Sequence, residues 1–193
     1  FNGEIYNHWE IREDLVTMGY EFFSKSDTET LLIGFRQYGK EILNKMNGIF
    51  SFAIFDKEKN TLFMARDHFG VKPFYYYYHD NRFAFASEFK AFWQFDEVEK
   101  EINNANFADY LNFLWSPGED IPFKKIRKLQ PGHFMEINLD KIEVIPKKYY
   151  DIPFKRIYSN LPEKDLIDKL DEHLQLAVRR QMLADVKVGF FLS

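Results

Sequence analysis

GIFSFAIFD (residues 48–56) has the pattern of a strand that is apolar on both of its faces, which limits the folds available to the chain. Successive side chains of a strand point to opposite faces. One face is predicted to carry Phe50, Phe52 and Ile54, and the other Ile49, Ala53 and Phe55. Both faces must then be covered, as in a sheet stacked between a second sheet and a layer of helices.

Three segments have the pattern of hairpins, with two β-prone runs around a polar turn. GIFSFAIFD is followed by TLFMARD across KEKN, FYYYYHDNRFAFAS turns at Asp80 and Asn81, and GHFMEINLDKIEVIPKKYYD turns near Asp140. About half of the four tyrosines at 75–78 should point inward, because side chains alternate along a strand. YEFF (residues 20–23) is predicted as a further short strand.

Helical spacing and capping residues predict two helices near the start of the chain. The first covers residues 8–18, with Asn7 and Glu10 at capping-box spacing and Gly19 after its end. The second begins at SDTE (residues 26–29) and stops at Gly39, and two short helices are predicted near residues 87–93 and 106–114. Residues 1–150 are therefore predicted to form one α+β domain dominated by antiparallel hairpins.

The remaining residues have a different character. Residues 151–162 contain two prolines and no clear periodicity, which indicates a linker. Residues 163–184 are predicted as a long amphipathic helix, and residues 186–193 as a buried strand. Helix followed by strand suggests the opening of a second, parallel α/β domain over residues 163–193. We expect the chain to be a middle part of a longer protein, because both ends interrupt a recognisable pattern.

Charge and composition exclude several classes of protein. A net charge of −4 disfavours a nucleic-acid-binding protein, and the basic cluster KKIRK (residues 124–128) is interpreted as a solvated turn. The absence of Cys excludes disulfides and thiol catalysis by this chain and fits a reducing, cytoplasmic location. No apolar run approaches the ~20 residues of a membrane helix. The five His residues lack metal-ligand spacing, so no metal site is predicted.

Asn2 and Gly3 allow two interpretations. Asn-Gly is typical of a two-residue hairpin turn. Alternatively, the Asn side-chain amide and the Gly N–H can point at one oxygen and stabilise the charge of a tetrahedral intermediate, because Gly has no Cβ to block the approach. Glu4 beside them can bind an ammonium group of a substrate.

Two further polar segments also have a structural and a chemical interpretation. In SDTE, Ser26 and Glu29 have capping-box spacing and Asp27 complements the helix dipole. A carboxylate in that first turn can equally hold an α-amino group. In ARDHFGVKPFYY (residues 65–76), a cluster of Arg66, Asp67 and Lys72 is interpreted as a buried ion pair that fixes a loop, in preference to a catalytic group.

The ordered combination of segments is more specific than any one of them. FNGEIYN, SDTE, MNGIFSFAIFD, ARDHFGVKPFYY, FASEFKA, KKIRKLQPGHFMEI and LADVKVGFFLS occur in this order. In order and approximate spacing the chain resembles the glutamine-dependent asparagine synthetases, which belong to the class II glutamine amidotransferases. The resemblance spans essentially the whole chain.

The resemblance implies an N-terminal-nucleophile glutaminase domain, a four-layer αββα sandwich with two antiparallel sheets, here incomplete. The family nucleophile is an N-terminal Cys that releases ammonia from glutamine, and it is expected outside this chain. By resemblance, Asn2 and Gly3 form the oxyanion hole, Glu4 contacts glutamine, and Asp27 holds the α-amino group of glutamine. This chain alone is therefore expected to be inactive.

For the second domain, the resemblance implies an ATP-pyrophosphatase fold that activates aspartate with ATP and Mg²⁺. Its phosphate loop has the pattern Ser-Gly-Gly-x-Asp-Ser, of which the chain carries only the first Ser, Ser193, preceded by Leu192. Both residues are predicted to belong to an incomplete nucleotide-binding site. The substrates implied are glutamine, aspartate and ATP, and the resemblance is compatible with a homodimer.

Three alternatives stay open at the level of sequence. A related amidotransferase could transfer ammonia to a sugar or peptide acceptor. A relative without the nucleophile could close a lactam ring, although retention of Asn2, Gly3, Glu4 and Asp27 favours use of glutamine. A non-catalytic scaffold or binding domain is the alternative from another class.

Overall fold

Two antiparallel sheets and four α-helices form the described part of the chain, which in the computed structural model comprises residues 1–154, 160–184, 186–189 and 191. The helices are α1 (His8–Thr17), α2 (Asp27–Tyr38), α3 (Asn104–Phe113) and α4 (Glu163–Gln181), with 3-10 turns at Gly39–Asn44 and Phe89–Gln94. The strands are β1 (Asn2–Ile5), β2 (Gly48–Asp56), β3 (Thr61–Arg66), β4 (Tyr75–His79), β5 (Arg82–Ala86), β6 (Ile126–Lys128), β7 (His133–Asn138) and β8 (Lys147–Lys148). The larger sheet has the order β1-β2-β3-β7-β8, and the smaller has the order β5-β4-β6.

Adjacent residues on β3 and on β4 pack into clusters on opposite faces of their sheets, which gives the order of the layers. On β3, Phe63 packs in a cluster with residues of α1 and α2, whereas Met64 packs in a cluster shared with Tyr76 of the smaller sheet. On β4, Tyr77 points away from Tyr76 and packs against Phe92 of a 3-10 turn. The layer order is thus helices, five-stranded sheet, three-stranded sheet and helical turn. This arrangement confirms the predicted incomplete αββα sandwich.

The central strand β2 is covered on both faces, as predicted, except near its end. Phe50 and Phe52 are buried under α1 and α2, and Ala53 packs against the cluster between the sheets. Phe55 is 49% exposed, so the prediction that it is covered is wrong. The smaller sheet has only three strands and leaves that end of β2 open.

The first two predicted hairpins are present, and the third is only partly formed. β2 pairs with β3 and β4 with β5, and the second turn places Asp80 and Asn81 at φ 48° and 57°, as a type I′ turn requires. β7 pairs mainly with β3, and among the described residues the return segment after Asp140 forms backbone pairs with β7 only at the Asn138–Lys141 bridge and the two-residue β8. Pro146 before β8 has no N–H for a longer ladder.

The predicted strand at residues 20–23 does not form. The carboxylate of Glu29 accepts hydrogen bonds from the N–H groups of Phe23 (2.8 Å) and Ser24 (2.8 Å), which a strand would have used for pairing. These bonds, first that from Phe23, lower the pKa of Glu29. The Glu29 side chain therefore shapes this segment as a loop and does not complete the predicted capping box.

The basic cluster at residues 124–128 is partly a strand, which corrects its interpretation as a turn. Residues 126–128 form β6 and pair with β4. Lys124 and Lys125 bind Glu101 and Glu99, and Arg127 lies near Glu119 (3.7 Å). The charges of Lys124, Lys125 and Arg127 are therefore compensated, whereas Lys128 has no acidic oxygen within 4.0 Å among the described residues.

The N-terminal helices form as predicted, but only the second has the expected cap. Ser26 caps α2 by accepting a hydrogen bond from Thr28 N–H (3.2 Å). Asn7 makes no side-chain cap on α1. Its amide instead accepts from Asn47 N–H (2.7 Å) and donates to the Lys45 carbonyl (2.9 Å), and so ties the start of α1 to the loop before β2.

The short helices and the tail differ more from prediction. Residues 89–94 form a 3-10 turn, and α3 starts two residues before the predicted boundary. α4 confirms the predicted long helix. Among residues 186–193, the described positions 186–189 and 191 are not in a strand, so that prediction is wrong for them. The domain boundaries at residues 150 and 163 stay predictions. Within the described residues no helix is both long and apolar enough to cross a membrane.

Replacing Phe50 by Ala should reduce the free energy of unfolding by about 3–5 kcal/mol, because a fully buried aromatic side chain leaves a cavity. Phe55→Ala on the same strand is the matched control and should cost under about 1 kcal/mol, since that side chain is half exposed. Urea denaturation followed by circular dichroism measures both. Equal losses would contradict the assignment of the two faces of β2.

Candidate functional site

Asn2 and Gly3 lie within β1, at the edge of the larger sheet in the described structure. β1 runs antiparallel to β2, with Asn2 opposite Ser51 and Gly3 opposite Phe50. The alternative that this Asn-Gly pair forms a hairpin turn is therefore wrong.

Gly3 occupies a position that only glycine fits. Its φ is +148°, and a Cβ added there would lie 2.0 Å from the carbonyl oxygen of Ile49. A side chain would push β1 away from β2 by displacing backbone atoms. The close approach of the two strands thus depends on the absence of a side chain at residue 3.

The backbone N–H of Gly3 points to the open edge of the sheet. Tyr6 N–H bonds to the Asn47 carbonyl on the β2 side (2.8 Å), whereas Ile5 N–H bonds to Asp27 Oδ2 on the opposite side (3.1 Å). N–H groups alternate in direction along an antiparallel strand, so Gly3 N–H has the direction of Ile5 N–H. The site therefore has a backbone donor directed away from β2.

Asp27 lies at the same edge, at the start of α2. Its bond to Ile5 places the carboxylate two residues along β1 from Gly3, or about 7 Å at the rise of a strand. Ser26 and Asp27 are the first residues of the α2 N-terminus, whose exposed N–H groups favour negative charge. Glu4, between Gly3 and Ile5, is exposed. The fold thus brings together Asn2, Gly3, Glu4 and Asp27, while their roles stay predictions.

Behind β1, a single buried carboxylate organises the loop after β3. Asp67 is 1% exposed and accepts hydrogen bonds from four backbone N–H groups. The donors are Phe50 (3.3 Å), Phe69 (3.1 Å), Val71 (3.0 Å) and Lys72 (2.9 Å). Asp67 N–H also donates to the Phe50 carbonyl (2.8 Å). Phe50 is the residue opposite Gly3, so this loop supports β1 through β2.

The neighbouring Arg66 binds the same loop from its other side. Its guanidinium donates to the carbonyls of Lys72, Gly70 and Leu129, each at 2.7 Å. Burial lowers the pKa of Arg66, and the charge of Asp67 opposes that effect. The prediction that this segment has a structural role is confirmed, because the side chains of Arg66 and Asp67 both fix the loop. They do so through backbone groups, and the predicted ion pair is not formed within 4.0 Å.

His68 is packed among aromatic rings. It makes edge contacts with Tyr149 (5.4 Å between centroids) and Tyr150 (4.6 Å). Burial lowers the pKa of His68 and raises that of Tyr149, whose hydroxyl donates to the Arg66 carbonyl (2.8 Å). These contacts attach residues 149–150 to the loop and give His68 a packing role.

Sequence reasoning missed the central role of Asp67 and the contact of Asp27 with β1. A signal existed for the first: an Asp directly after a buried strand and before the turn-forming residues Gly70 and Pro73 can bind several N–H groups of that turn. Leu192 and Ser193, the predicted nucleotide-binding residues, lie outside the described residues.

Comparison with solved structures finds the same fold. Glutamine phosphoribosylpyrophosphate amidotransferase from Bacillus subtilis superposes with a TM-score of 0.53 at 20% identity, covering 77% of this chain and 28% of that chain. An allosteric regulatory enzyme of purine biosynthesis superposes with a TM-score of 0.52 at 21% identity, covering 77% and 27%. At this identity the likeness concerns the fold alone.

Curated proteins of similar sequence are longer than this chain. Asparagine synthetase (glutamine-hydrolyzing) 1 of Bacillus subtilis is 36% identical over 193 residues, which is 100% of this chain and 30% of that protein. Putative asparagine synthetase (glutamine-hydrolyzing) 2 of Methanocaldococcus jannaschii is 37% identical over 196 residues, which is 100% and 37%. The chain therefore spans about a third of the length of these relatives.

A family model described as a glutamine amidotransferase domain matches residues 1–150. The match covers both sheets, the edge strand β1 and the loop organised by Asp67. This chain belongs to the glutamine amidotransferase domain family.

Proposed function

We propose that this chain is the glutaminase part of a glutamine-hydrolysing asparagine synthetase. The complete protein hydrolyses glutamine to glutamate and ammonia. The ammonia then reacts with ATP-activated aspartate to give asparagine, AMP and pyrophosphate. Similarity to asparagine synthetases along 100% of this chain supports the choice of product.

The observation that carries the proposal is the arrangement of the β1 edge. A backbone N–H at Gly3 and a carboxylate at Asp27 lie on the same side of β1. Their separation of about 7 Å along the strand is comparable with the distance between the amide and α-amino ends of an extended glutamine. Gly3 N–H and the Asn2 amide are proposed to bind the oxygen of the tetrahedral intermediate, and Asp27 the α-ammonium group.

The remaining components come from outside this chain. The sequence contains no Cys, so the thiol nucleophile is proposed to precede residue 1 in the complete protein. ATP and Mg²⁺ would bind the second domain, whose phosphate loop begins at Ser193.

The complete gene product should form asparagine, AMP and pyrophosphate from aspartate, ATP and glutamine, as measured by chromatography and mass spectrometry.

The 193-residue chain alone should release no glutamate from glutamine above the background of its Asn2→Ala variant, because it has no thiol. Glutamate release above that background would refute the inactivity of the chain. Amidation of a sugar or peptide in place of aspartate would refute the proposed acceptor.

In the complete protein, Asn2→Ala should lower the kcat of glutamine hydrolysis by roughly 10²–10³-fold, the usual effect of removing one oxyanion donor. The KM for glutamine should change little, because this interaction is made in the transition state. Asn44→Ala, an exposed asparagine in the 3-10 turn after α2, is the matched control. Equal kcat values for the two variants would remove Asn2 from the oxyanion hole.

Asp27→Asn should raise the KM for glutamine by roughly 10–100-fold, because a hydrogen bond to a charged group is lost. The Asn side-chain oxygen can still accept from Ile5 N–H, so the fold should be retained. Steady-state kinetics with circular dichroism as a check of folding make the test, and Asp14→Asn on the exposed side of α1 is the control. An unchanged KM in a folded variant would exclude Asp27 from substrate binding.

A further inference from the structure

A cavity with a volume of about 620 Å³ lies away from the β1 edge, and no β1 residue lines it. It is bounded by the loop after β3, the 3-10 turn at Phe89–Gln94, α3 and the residues around β6. Aromatic side chains form much of its wall, including Tyr75, Phe89, Tyr110, Trp115 and Phe123. A cavity of this size with an apolar wall is typical of a small-molecule site.

Two cationic side chains line this cavity without a carboxylate partner. Within the described residues, neither Arg66 nor Lys128 has an acidic oxygen within 4.0 Å, although most of the exposed cations around them are paired. Three N–H groups of Arg66 bind backbone carbonyls, and Lys128 Nζ donates to the Ser116 carbonyl. Carbonyl dipoles satisfy these donors only partly and do not neutralise their charge.

Lys128 is the cation best placed to contact a ligand. Its Nζ lies 5.5 Å from the ring centroid of Trp115, so the charge sits beside an aromatic wall. Burial lowers the pKa of Lys128, and the nearby Arg66 lowers it further, against a smaller opposing effect of Asp120. An anion placed between the two cations would offset the repulsion between them and favour the charged form of Lys128.

Gln130 adds an unsatisfied amide to the same wall. Its Nε2 is buried and has no hydrogen-bond partner among the described residues. Buried polar groups without partners are uncommon in folded proteins. A donor of this kind beside two cations is complementary to an acceptor oxygen.

We propose that this cavity binds a small anion with a flat apolar body, its carboxylate or phosphate held by Lys128 and Arg66 and its ring packed against Trp115. The observation that supports anion binding is the pair of uncompensated cations in an aromatic cavity. It does not depend on the proposed amidotransferase reaction, whose candidate residues lie at the β1 edge. Anion binding in the cavity and glutamine hydrolysis at the β1 edge can therefore be tested independently.

Binding of four probes to the 193-residue chain tests the proposal by isothermal titration calorimetry. Phenyl phosphate and phenylacetate carry both the ring and an anion, whereas phenol lacks the anion and inorganic phosphate lacks the ring. At least one of the first two should bind saturably, at least about 10-fold more tightly than phenol or inorganic phosphate, since a charge-assisted contact and ring packing both contribute. Whichever of the two binds more tightly identifies the head group.

Variants locate the binding in this cavity. Lys128→Met should weaken binding about 10–100-fold, whereas Lys124→Met, a charge removed outside the cavity, should change it less than about 2-fold. Trp115→Ala should weaken binding about 3–10-fold, with Phe113→Ala as control, because both side chains are 58% exposed but only Trp115 lines the cavity.

Three results would overturn the proposal. The first is no saturable binding of either anionic ring compound. The second is binding of phenol as tightly as phenyl phosphate and phenylacetate, which would show an apolar cavity without anion recognition. The third is the same loss of affinity in Lys128→Met and Lys124→Met, with circular dichroism confirming that both variants are folded.

Discussion

Hydrogen bonds to the buried carboxylate of Asp67 join the central strand β2 to the loop after β3. The carboxylate accepts hydrogen bonds from one N–H group of β2 and three of the loop after β3. Hydrogen bonds from several backbone N–H groups to one carboxylate are strong when the carboxylate is buried, as Asp67 is. Without this carboxylate the N–H of Phe50, in the middle of the core, would be buried without a partner.

The loop held by Asp67 supports two surfaces at once. On one side, Phe50 of β2 donates a hydrogen bond to Asp67 and lies opposite Gly3 of β1. On the other side, Arg66 binds carbonyls of the same loop and lines the aromatic cavity. A change in the conformation of this loop would therefore affect both the candidate glutamine site and the cavity, which share a rigid boundary.

Close packing and hydrogen bonds hold β1 against its neighbouring elements. A Cβ added at Gly3 would lie 2.0 Å from a backbone oxygen of the partner strand, and a Cβ added at Gly48 would lie 2.2 Å from one. The Asn7 amide ties the start of α1 to the loop before β2, and Asp27 ties the start of α2 to β1. Catalytic donors need such fixed positions, because stabilisation of developing charge depends on donors that are already oriented.

Apolar spacing and turn residues were enough to predict the local elements: two helices, two hairpins, and a central strand apolar on both faces, which required layers on both sides. Its family resemblance also indicated Asn2, Gly3, Glu4 and Asp27. The hydrogen-bond partners of the polar side chains, by contrast, could be identified only in the folded structure. Asn7 with Glu10, and Ser26 with Glu29, have capping-box spacing, yet Asn7 and Glu29 bind loop N–H groups that folding brings nearby. The bonds to Glu29 shape residues 20–23 as a loop in place of the expected strand. Local periodicity reflects burial along one element, whereas hydrogen-bond partners and open edges depend on contacts between residues far apart in the chain.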